Sequence, residues 1–353
     1  MTKRKAGTSK AADSEDQQPE ATVLYPRNTA ELFGHGTAEE LFVQAYRAGA
    51  LHHAWLLTGE QGIGKATFAY RAARFLLSQE PGRPTTGTLA DCRETPAARQ
   101  IAAGAHSSLF VLDEAAAASI GVGEVRKLRS FLSLTSPGGW RAMIVDPANS
   151  LTIASANALL KAVEEPPPRT VFFLVSHGAA AVMPTIRSRC VKLAFRPLSL
   201  TDFSKATLAA CHRGGAESPG PDELEMLHGL TGGSPGRALD FISGGLLPVA
   251  QKLNRIVDGL PRMDYGLVHE LIQAVAGARN AQIFNRICDL IEARIEELAK
   301  RDLSRPGFTG AQWAELWQAV RRRRLEMEAL NLDKAAFLMS VFSDMENATK
   351  KPC

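Results

Sequence analysis

The stretch LHHAWLLTGEQGIGKATFAYRAARFLL, residues 51–77, is the part of this sequence that says most about the fold. Its first part, HAWLLTG, is a short apolar run closed by a glycine, which is typical of a buried strand. The second part places Phe68, Ala72, Phe75 and Leu76 on one face of an amphipathic helix. The stretch therefore predicts a strand, a glycine turn and a helix in succession.

The glycine turn has the form G-x-x-x-x-G-K, which is filled here by Gly59, Gly62, Gly64 and Lys65. A loop of this kind surrounds a phosphate with successive backbone N–H groups at the positive end of a helix. An apolar strand before the loop and an amphipathic helix after it are the context that the motif requires. We therefore expect these four residues to bind the phosphates of a nucleotide.

Two residues that normally support hydrolysis are missing from this pattern. Ala66 follows the loop lysine, where a hydroxyl usually holds Mg²⁺. Thr67 is next, but one step along a helix turns a side chain by about 100°, so we expect Thr67 to face away from the metal and keep it only as a nucleotide-binding candidate. The strand MIVDP supplies Asp146, followed by Pro147, which accepts no proton. Because metal, base and lysine act together, we expect little or no ATPase activity.

The order of the remaining elements predicts three folded parts. Strands and helices alternate between residues 50 and 197, as in a parallel sheet covered on both faces. Short helices joined by glycine turns follow, and then come long amphipathic runs. The predicted fold class is α/β: a P-loop core with a parallel sheet, a small helical lid and an all-α C-terminal bundle. The predicted boundaries are 1–23 for a disordered tail, 24–200 for the core, 201–247 for the lid and 248–353 for a helical oligomerisation domain.

Composition excludes some classes of protein and leaves others open. Hydrophobic residues make up 45% of the chain, and no apolar run approaches the ~20 residues that a membrane span needs. The net charge of +4 neither requires nor excludes a nucleic-acid partner. The 5 cysteines are scattered singly without a CxxC pair, so we expect no disulfide framework, no metal site and a cytoplasmic location.

The run SANALLKAVEEPPPRTVFFLVSHGAAAVMPTIRSRC, residues 155–190, is the most specific pattern in the chain. It resembles the most distinctive stretch of the bacterial clamp-loader subunits of DNA polymerase III, which are AAA+ proteins. GGSPGRALDF, residues 232–241, extends the resemblance, which covers about residues 24–245. It implies an AAA+ core in one subunit of a pentameric loader that opens a ring-shaped sliding clamp and places it on primed DNA. The implied partners are gamma/tau motor subunits, a delta subunit, the clamp and primer-template DNA.

The resemblance also implies roles for individual residues. In this family the arginine of the SRC motif projects into the ATP site of a neighbouring subunit, and here it is Arg189. A guanidinium is planar, stays charged and can stabilise the charge on a transferring phosphoryl group. Ser176 occupies the position of the polar phosphate sensor. Active relatives carry a sensor arginine where this chain has Gly236, and Arg237 follows as a further nucleotide-binding candidate.

The departures from the family pattern favour a member that does not hydrolyse ATP. Ala66 and Pro147 differ from the motor subunits, so we expect ATP or ADP to be held without hydrolysis and no polymerase activity in this subunit itself. The family often carries a four-cysteine zinc module after the loop helix. The corresponding stretch, roughly 78–106, contains only Cys92, so we expect no zinc.

Two alternative functions remain open at this point. One is an active AAA+ ATPase of the motor type, in which Thr67 replaces the missing hydroxyl. The other is a nucleic-acid-binding protein that uses its basic tail and the run Arg321–Arg324, although a solvated face or a subunit contact suits that run better. Glu164 and Glu165 could be read as a catalytic pair, but their position before three prolines favours the end of a helix at a subunit interface.

Overall fold

The computed structural model describes residues 25–79, 87–113, 120–133, 139–276, 281–303 and 311–350. The predicted disordered tail, residues 1–23, lies outside the described residues. The predicted loop and short helix after the phosphate-loop helix are described from residue 87 onward, and a short helix is found there at Pro96–Ala102.

A parallel five-stranded sheet forms the centre of the first part of the chain, with strand order β2-β3-β4-β1-β5. Each pair of neighbouring strands is parallel, so all carboxyl ends meet at one edge. The predicted α/β class with a parallel sheet is confirmed. The strands are β1 (Ala54–Thr58), β2 (Leu109–Asp113), β3 (Arg141–Asp146), β4 (Thr170–Ser176) and β5 (Val191–Ala194).

Burial differs between the centre and the edge of this sheet. Every residue of β4 is buried, as its apolar run predicts. In β5 only Leu193 is buried, although the sequence predicted a sheet covered on both faces. The reason is its position: β5 pairs with β1 on one side and ends the sheet on the other. An edge strand has fewer neighbours to cover it.

Helices cover both faces of the sheet and form one apolar cluster on each. Alternate residues of β1 belong to different clusters, with Trp55 and Leu57 on one face and Ala54 and Leu56 on the other. This alternation is what a strand buried on both sides requires. The helices of this part are α1 (Gly36–Arg47), α2 (Lys65–Leu77), α3 (Pro96–Ala102), α4 (Val122–Ser133), α5 (Ile153–Glu164) and α6 (Pro184–Arg187).

The rest of the described chain is helical, as predicted. A single apolar cluster runs from Leu198 to Ala348, so the helices of the predicted lid and those of the predicted bundle share one core. The predicted domain boundaries stay predictions. No helix in the described ranges combines the length and the apolarity of a membrane span. The helices are α7 (Leu200–Gly214), α8 (Pro221–Thr231), α9 (Pro235–Ser243), α10 (Leu247–Asp258), α11 (Tyr265–Ala276), α12 (Ala281–Leu303), α13 (Ala311–Leu330) and α14 (Lys334–Lys350).

Candidate functional site

The predicted phosphate loop lies between the carboxyl end of β1 and the start of α2. Gly62 has a φ of 76° and Gly64 a φ of 107°, a region that favours glycine because other residues are strained there. Helix α2 begins without a side-chain cap and without an acidic residue in its first turn. The N-terminus of a helix attracts anions, and this one therefore fits a phosphate group.

Lys65 turns back onto the loop instead of extending outward. Its Nζ donates to the carbonyl oxygens of Gly59 at 2.7 Å and Glu60 at 2.5 Å, and the residue is 3% exposed. Burial lowers the pKa of Lys65 to about 8, although the negative charges of Asp146 and Glu60 act in the opposite direction. The loop thus holds a buried cation whose charge is sensitive to mildly alkaline pH.

A cavity of about 820 Å³ lies over the loop and brings most of the predicted nucleotide-binding residues together. Ala66 and Pro147, which replace the metal-binding hydroxyl and the catalytic acid, line the same cavity. Thr67, expected from helix geometry to face away from the metal position, is also part of the lining. The predicted residues that line the cavity are Gly62, Gly64, Lys65, Thr67, Asp146 and Arg237.

Two predicted nucleotide-binding residues lie outside the cavity lining. Gly59 packs against the core, where an added Cβ would come within 2.4 Å of the carbonyl oxygen of Phe195. Ser176 is fully buried, and its hydroxyl donates to the carbonyl oxygen of Gly178 at 2.9 Å. The neighbour His177 lines the cavity in its place. Nucleotide contacts of Gly59 and Ser176 stay predictions.

The first turn of the lid helix α9 packs directly on the phosphate loop. The Gly236 N–H donates to the carbonyl oxygen of Gly62 at 2.9 Å, and the Ser234 hydroxyl donates to that of Gln61 at 2.7 Å. A Cβ added to Gly236 would come within 2.6 Å of the Gly62 Cα. Gly236, where the family resemblance leads us to expect a sensor arginine in active members, therefore has no room for any side chain while the lid is packed in this way.

Sequence reasoning missed the segment that forms one wall of the cavity, which includes Leu32 and Phe33. Arg74 of α2 holds this segment by donating from Nη1 to the carbonyl oxygen of Thr29 at 2.8 Å. Arg71, one turn earlier, donates to the carbonyl oxygen of Ala30. Both arginines are buried, and the carbonyl oxygens of this segment accept from their N–H donors. The sequence feature that could have indicated these contacts is the pair of arginines three residues apart on a largely apolar helix.

His35 is a second residue that the sequence did not single out. Its ring is buried, packs at 4.7 Å from the ring of Phe195, and its Nε2 lies 2.9 Å from the carbonyl oxygen of Ile63 in the loop. Because a carbonyl only accepts, Nε2 carries the hydrogen. Burial lowers the pKa of His35, which favours the neutral form of the ring in this contact.

Arg189 is placed apart from the cavity, at the surface that follows α6. Its side chain is 42% exposed and it is not among the residues that line the cavity. Its Nη1 donates to the carbonyl oxygen of Thr185 at 2.9 Å, and its Nη2 lies 2.7 Å from Oε1 of Glu164. The guanidinium is therefore partly exposed, lies outside the cavity of its own chain and is bound by Thr185 and Glu164.

The arginine run of α13 is used largely within the helical bundle. Arg324 pairs with Asp289 at 2.6 Å and with Glu292 at 3.0 Å. Arg323 pairs with Asp344 at 2.7 Å. The guanidinium of Arg321 lies 4.7 Å from the ring centre of Trp317. These contacts support packing over DNA binding for the run, because cations that already neutralise carboxylates attract phosphate weakly.

Comparison with known proteins gives a consistent family. The sequence model of the family described as "DNA polymerase III, delta subunit" matches residues 34–199. A DNA polymerase III subunit delta' from Pseudomonas aeruginosa is 36% identical over 237 residues, which cover 67% of this chain and 66% of that protein. A DNA polymerase III subunit gamma/tau from Mycobacterium bovis is 30% identical over 274 residues, covering 76% of this chain and 46% of that protein.

These matches leave part of each relative uncovered, because the chain spans just under two thirds of the Pseudomonas protein and less than half of the mycobacterial one. A crystal structure of a DNA polymerase III gamma subunit-related protein from Thermotoga maritima is similar with a TM-score of 0.45 and 14% identity, covering 88% of this chain and 100% of that one. The phosphate loop, the parallel sheet and the sequence matches agree. By both sequence comparisons the chain is therefore similar to the delta and delta-prime subunits of DNA polymerase III.

Proposed function

We propose that this chain is the delta-prime subunit of a DNA polymerase III clamp loader, that it does not hydrolyse ATP itself, and that it lends Arg189 to the ATP site of a neighbouring subunit. Its partners are gamma/tau motor subunits and a delta subunit in a pentamer, which places a sliding clamp on primer-template DNA in the cytoplasm. The observation that carries the proposal is the placement of two groups of residues: Ala66 and Pro147 line the cavity where a metal-binding hydroxyl and a catalytic acid are expected, whereas the exposed Arg189 lies outside it.

The cavity supports nucleotide binding without hydrolysis. The N–H groups at the start of α2 and the Nζ of Lys65 would hold the phosphates of ATP or ADP. A bound nucleotide would supply negative charge that relieves the cost of burying the lysine. Ala66 offers no oxygen to Mg²⁺, and Pro147 offers no base to activate water. The residues therefore fit the nucleotide and do not fit the metal ligand that turnover needs.

Arg189 supports the role in a neighbour's site through its exposure and chemistry. A guanidinium at the surface keeps its charge and presents planar N–H donors, which match the oxygens of a transferring phosphoryl group. An arginine supplied by a second protein to such a site raises turnover by about 10³- to 10⁵-fold in known phosphoryl-transfer systems. The delta-prime relative with 36% identity supports the choice of this subunit.

The first experiment measures ATP turnover by the purified chain alone. A non-hydrolysing subunit should show none above background, whereas a working ATPase should approach one or more turnovers per second. Turnover in that range would favour the alternative of an active motor subunit, which the similarity to the gamma/tau protein keeps open.

The second experiment tests the arginine in the reconstituted assembly with its motor and delta subunits. Arg189→Ala should lower the ATP turnover that clamp and primed DNA stimulate, while the assembly still forms. Arg187→Ala, two residues earlier in α6, is a control of the same chemistry, because its Nη1 is bound to the carbonyl oxygen of Ala179 within the chain. Equal rates for Arg189→Ala and wild type would remove the proposed role.

A further inference from the structure

The proposed function leaves open how a flexible surface arginine is kept in position for a neighbour's ATP. An arginine side chain carries about 2 kcal/mol of rotamer entropy, and an unsupported one would have to lose it each time it engages a phosphate. The described residues around Arg189 show which groups restrain it.

The guanidinium of Arg189 is held from two different helices. From α6, the Thr185 carbonyl oxygen accepts from Nη1 at 2.9 Å, and the Ser188 hydroxyl lies 3.4 Å from the same atom. From α5, Oε1 of Glu164 lies 2.7 Å from Nη2. Both supports are firmly anchored, because Val163 beside Glu164 is fully buried and Ile186 beside Thr185 is 1% exposed.

These contacts engage part of the guanidinium and leave donors for a ligand. No acceptor for the Nε–H of Arg189 is found in the part of the chain that the structure describes. A guanidinium has five N–H donors in a fixed plane, so a phosphoryl oxygen can bind one side while Glu164 and Thr185 keep the other. The carboxylate can therefore stay in place during the reaction.

The position of Glu164 is unfavourable for its own helix. Glu164 is the last residue of α5, and the partial negative charge at a helix C-terminus repels a carboxylate. The ion pair with Arg189 contributes little to folding in return, since its two side chains are 42% and 37% exposed and such pairs are weak. A residue that breaks a local rule without a gain in stability is expected at a functional site.

We propose that Glu164 is a positioning residue that holds Arg189 in the orientation needed for a phosphoryl group in the neighbouring subunit. This inference rests on the proposed function of Arg189 and adds a second residue, on a different helix, to it. Without Glu164, Arg189 would be bound only through Nη1. Its side chain would then have to lose rotamer freedom each time it engages a phosphate, so the rate would fall by about two- to tenfold.

The test compares Glu164→Gln with Glu165→Gln in the reconstituted assembly with motor subunits, delta subunit, clamp and primed DNA. Both variants remove one negative charge from neighbouring exposed positions, but only the first removes the ion pair with Arg189 and leaves in its place a weaker hydrogen bond to a neutral acceptor. Glu164→Gln should lower the rate at saturating ATP by about two- to tenfold and leave the KM for ATP within twofold, because Glu164 acts through Arg189 on the transferring phosphoryl group and not on the binding of ATP. Glu165→Gln should match wild type. Glu164→Asp, which keeps the charge on a shorter side chain, should recover part of the rate.

A double-mutant cycle separates positioning from a general structural effect. In an Arg189→Ala background, Glu164→Gln should change nothing further, because the residue it positions is gone. An equal loss in both backgrounds, equal rates for the two glutamine variants, or a faster Glu164→Gln enzyme would each overturn the proposal. If Arg189→Ala alone has no effect, the proposed function fails and the positioning role fails with it. If Arg189→Ala slows turnover but Glu164→Gln does not, only the positioning role is wrong.

Discussion

The phosphate loop and the surface after α6 each carry a cation on which the proposed function depends. The two cations differ in their exposure and in the groups that bind them. Lys65 is 3% exposed and donates to two carbonyl oxygens of its own loop. Arg189 is 42% exposed, bound along one part of its guanidinium, and outside the cavity. Under the proposed function, the first charge would serve a nucleotide bound by this chain and the second a nucleotide bound by a neighbour. A subunit built in this way could lose hydrolysis and still keep its fold and its contribution to the neighbouring site.

The largest effect is expected at the contact between the phosphate loop and the lid helix α9. Gly62→Ala adds a Cβ that would lie 2.7 Å from the Ser234 Oγ and 2.8 Å from the Arg237 N, at a φ of 76°. Strain of the left-handed backbone and overpacking together should lower the free energy of unfolding by about 2–4 kcal/mol. Urea unfolding of the purified chain measures the change.

Gly49→Ala is the matched control for that substitution. Gly49 has a φ of 66° and nothing within 4 Å of an added Cβ, so it carries the backbone strain without the contact. It should cost about 1 kcal/mol. Equal losses for the two variants would mean that the lid does not press on the loop in solution.

A second prediction compares an arginine that is bound within the helical bundle with one that is exposed. Arg324→Ala removes the partner of Asp289 and Glu292 and leaves their charges together between α12 and α13. Hydrogen bonds to charged groups at a partly buried site predict a loss of about 1–3 kcal/mol in the free energy of unfolding.

Arg322→Ala, in the same helix, is the comparison for Arg324. Arg322 is exposed, and no partner for it is found among the described residues, so the change should stay within about 0.5 kcal/mol. If the lone chain binds DNA in a salt-sensitive way and Arg322→Ala abolishes it, the run would have to be treated as a nucleic-acid contact after all.

The smallest expected effect concerns the charge of the enclosed lysine. The pKa of Lys65 is lowered to about 8 by burial, and bound phosphates favour the charged form, so binding takes up a proton above that pH. The affinity for ADP should be constant below pH 8 and should fall above it, by at most about tenfold per pH unit. Calorimetry between pH 7 and 9.5 measures this slope.

Lys65→Met supplies the reference for the pH series. It removes the titrating amine, so any remaining ADP binding should lose its decline above pH 8. A wild-type affinity that is flat from pH 7 to 9.5 would show that the lysine keeps its charge inside the loop.

The sequence allowed the sheet to be predicted, because its strands are short apolar runs and several of them are followed by glycine or proline. The run TVFFLVS became β4 with the same limits. The exposure of β5 could not be predicted, since an edge position depends on the order of strands in space and not on the strand itself. The core that the lid and bundle share was missed for a similar reason, because composition changes near Pro248 although the packing does not.

In the site, local motifs were readable and long-range contacts were not. Gly62, Gly64 and Lys65 follow from a motif whose geometry is fixed within seven residues. The contact of Gly236 with Gly62 joins residues far apart in the chain. Helical periodicity says which face of α9 is apolar but not which loop its first turn meets. The contact of Glu164 with Arg189 could not be predicted either, because strand β4 separates the two residues in the sequence and only the fold brings them together.

The shared apolar core from Leu198 to Ala348 has a mechanical consequence. Separating α7–α9 from the helices that follow would expose many buried side chains to water. Each large aliphatic side chain exposed in this way costs about 1.5–3 kcal/mol of free energy. The apolar cluster that contains Trp55 and Leu57 ends at Phe195, so Leu198 marks the change from the core of the sheet to the core of the helices. A displacement of α9 at the nucleotide cavity would therefore be expected to move the distal helices with it, because they share its core.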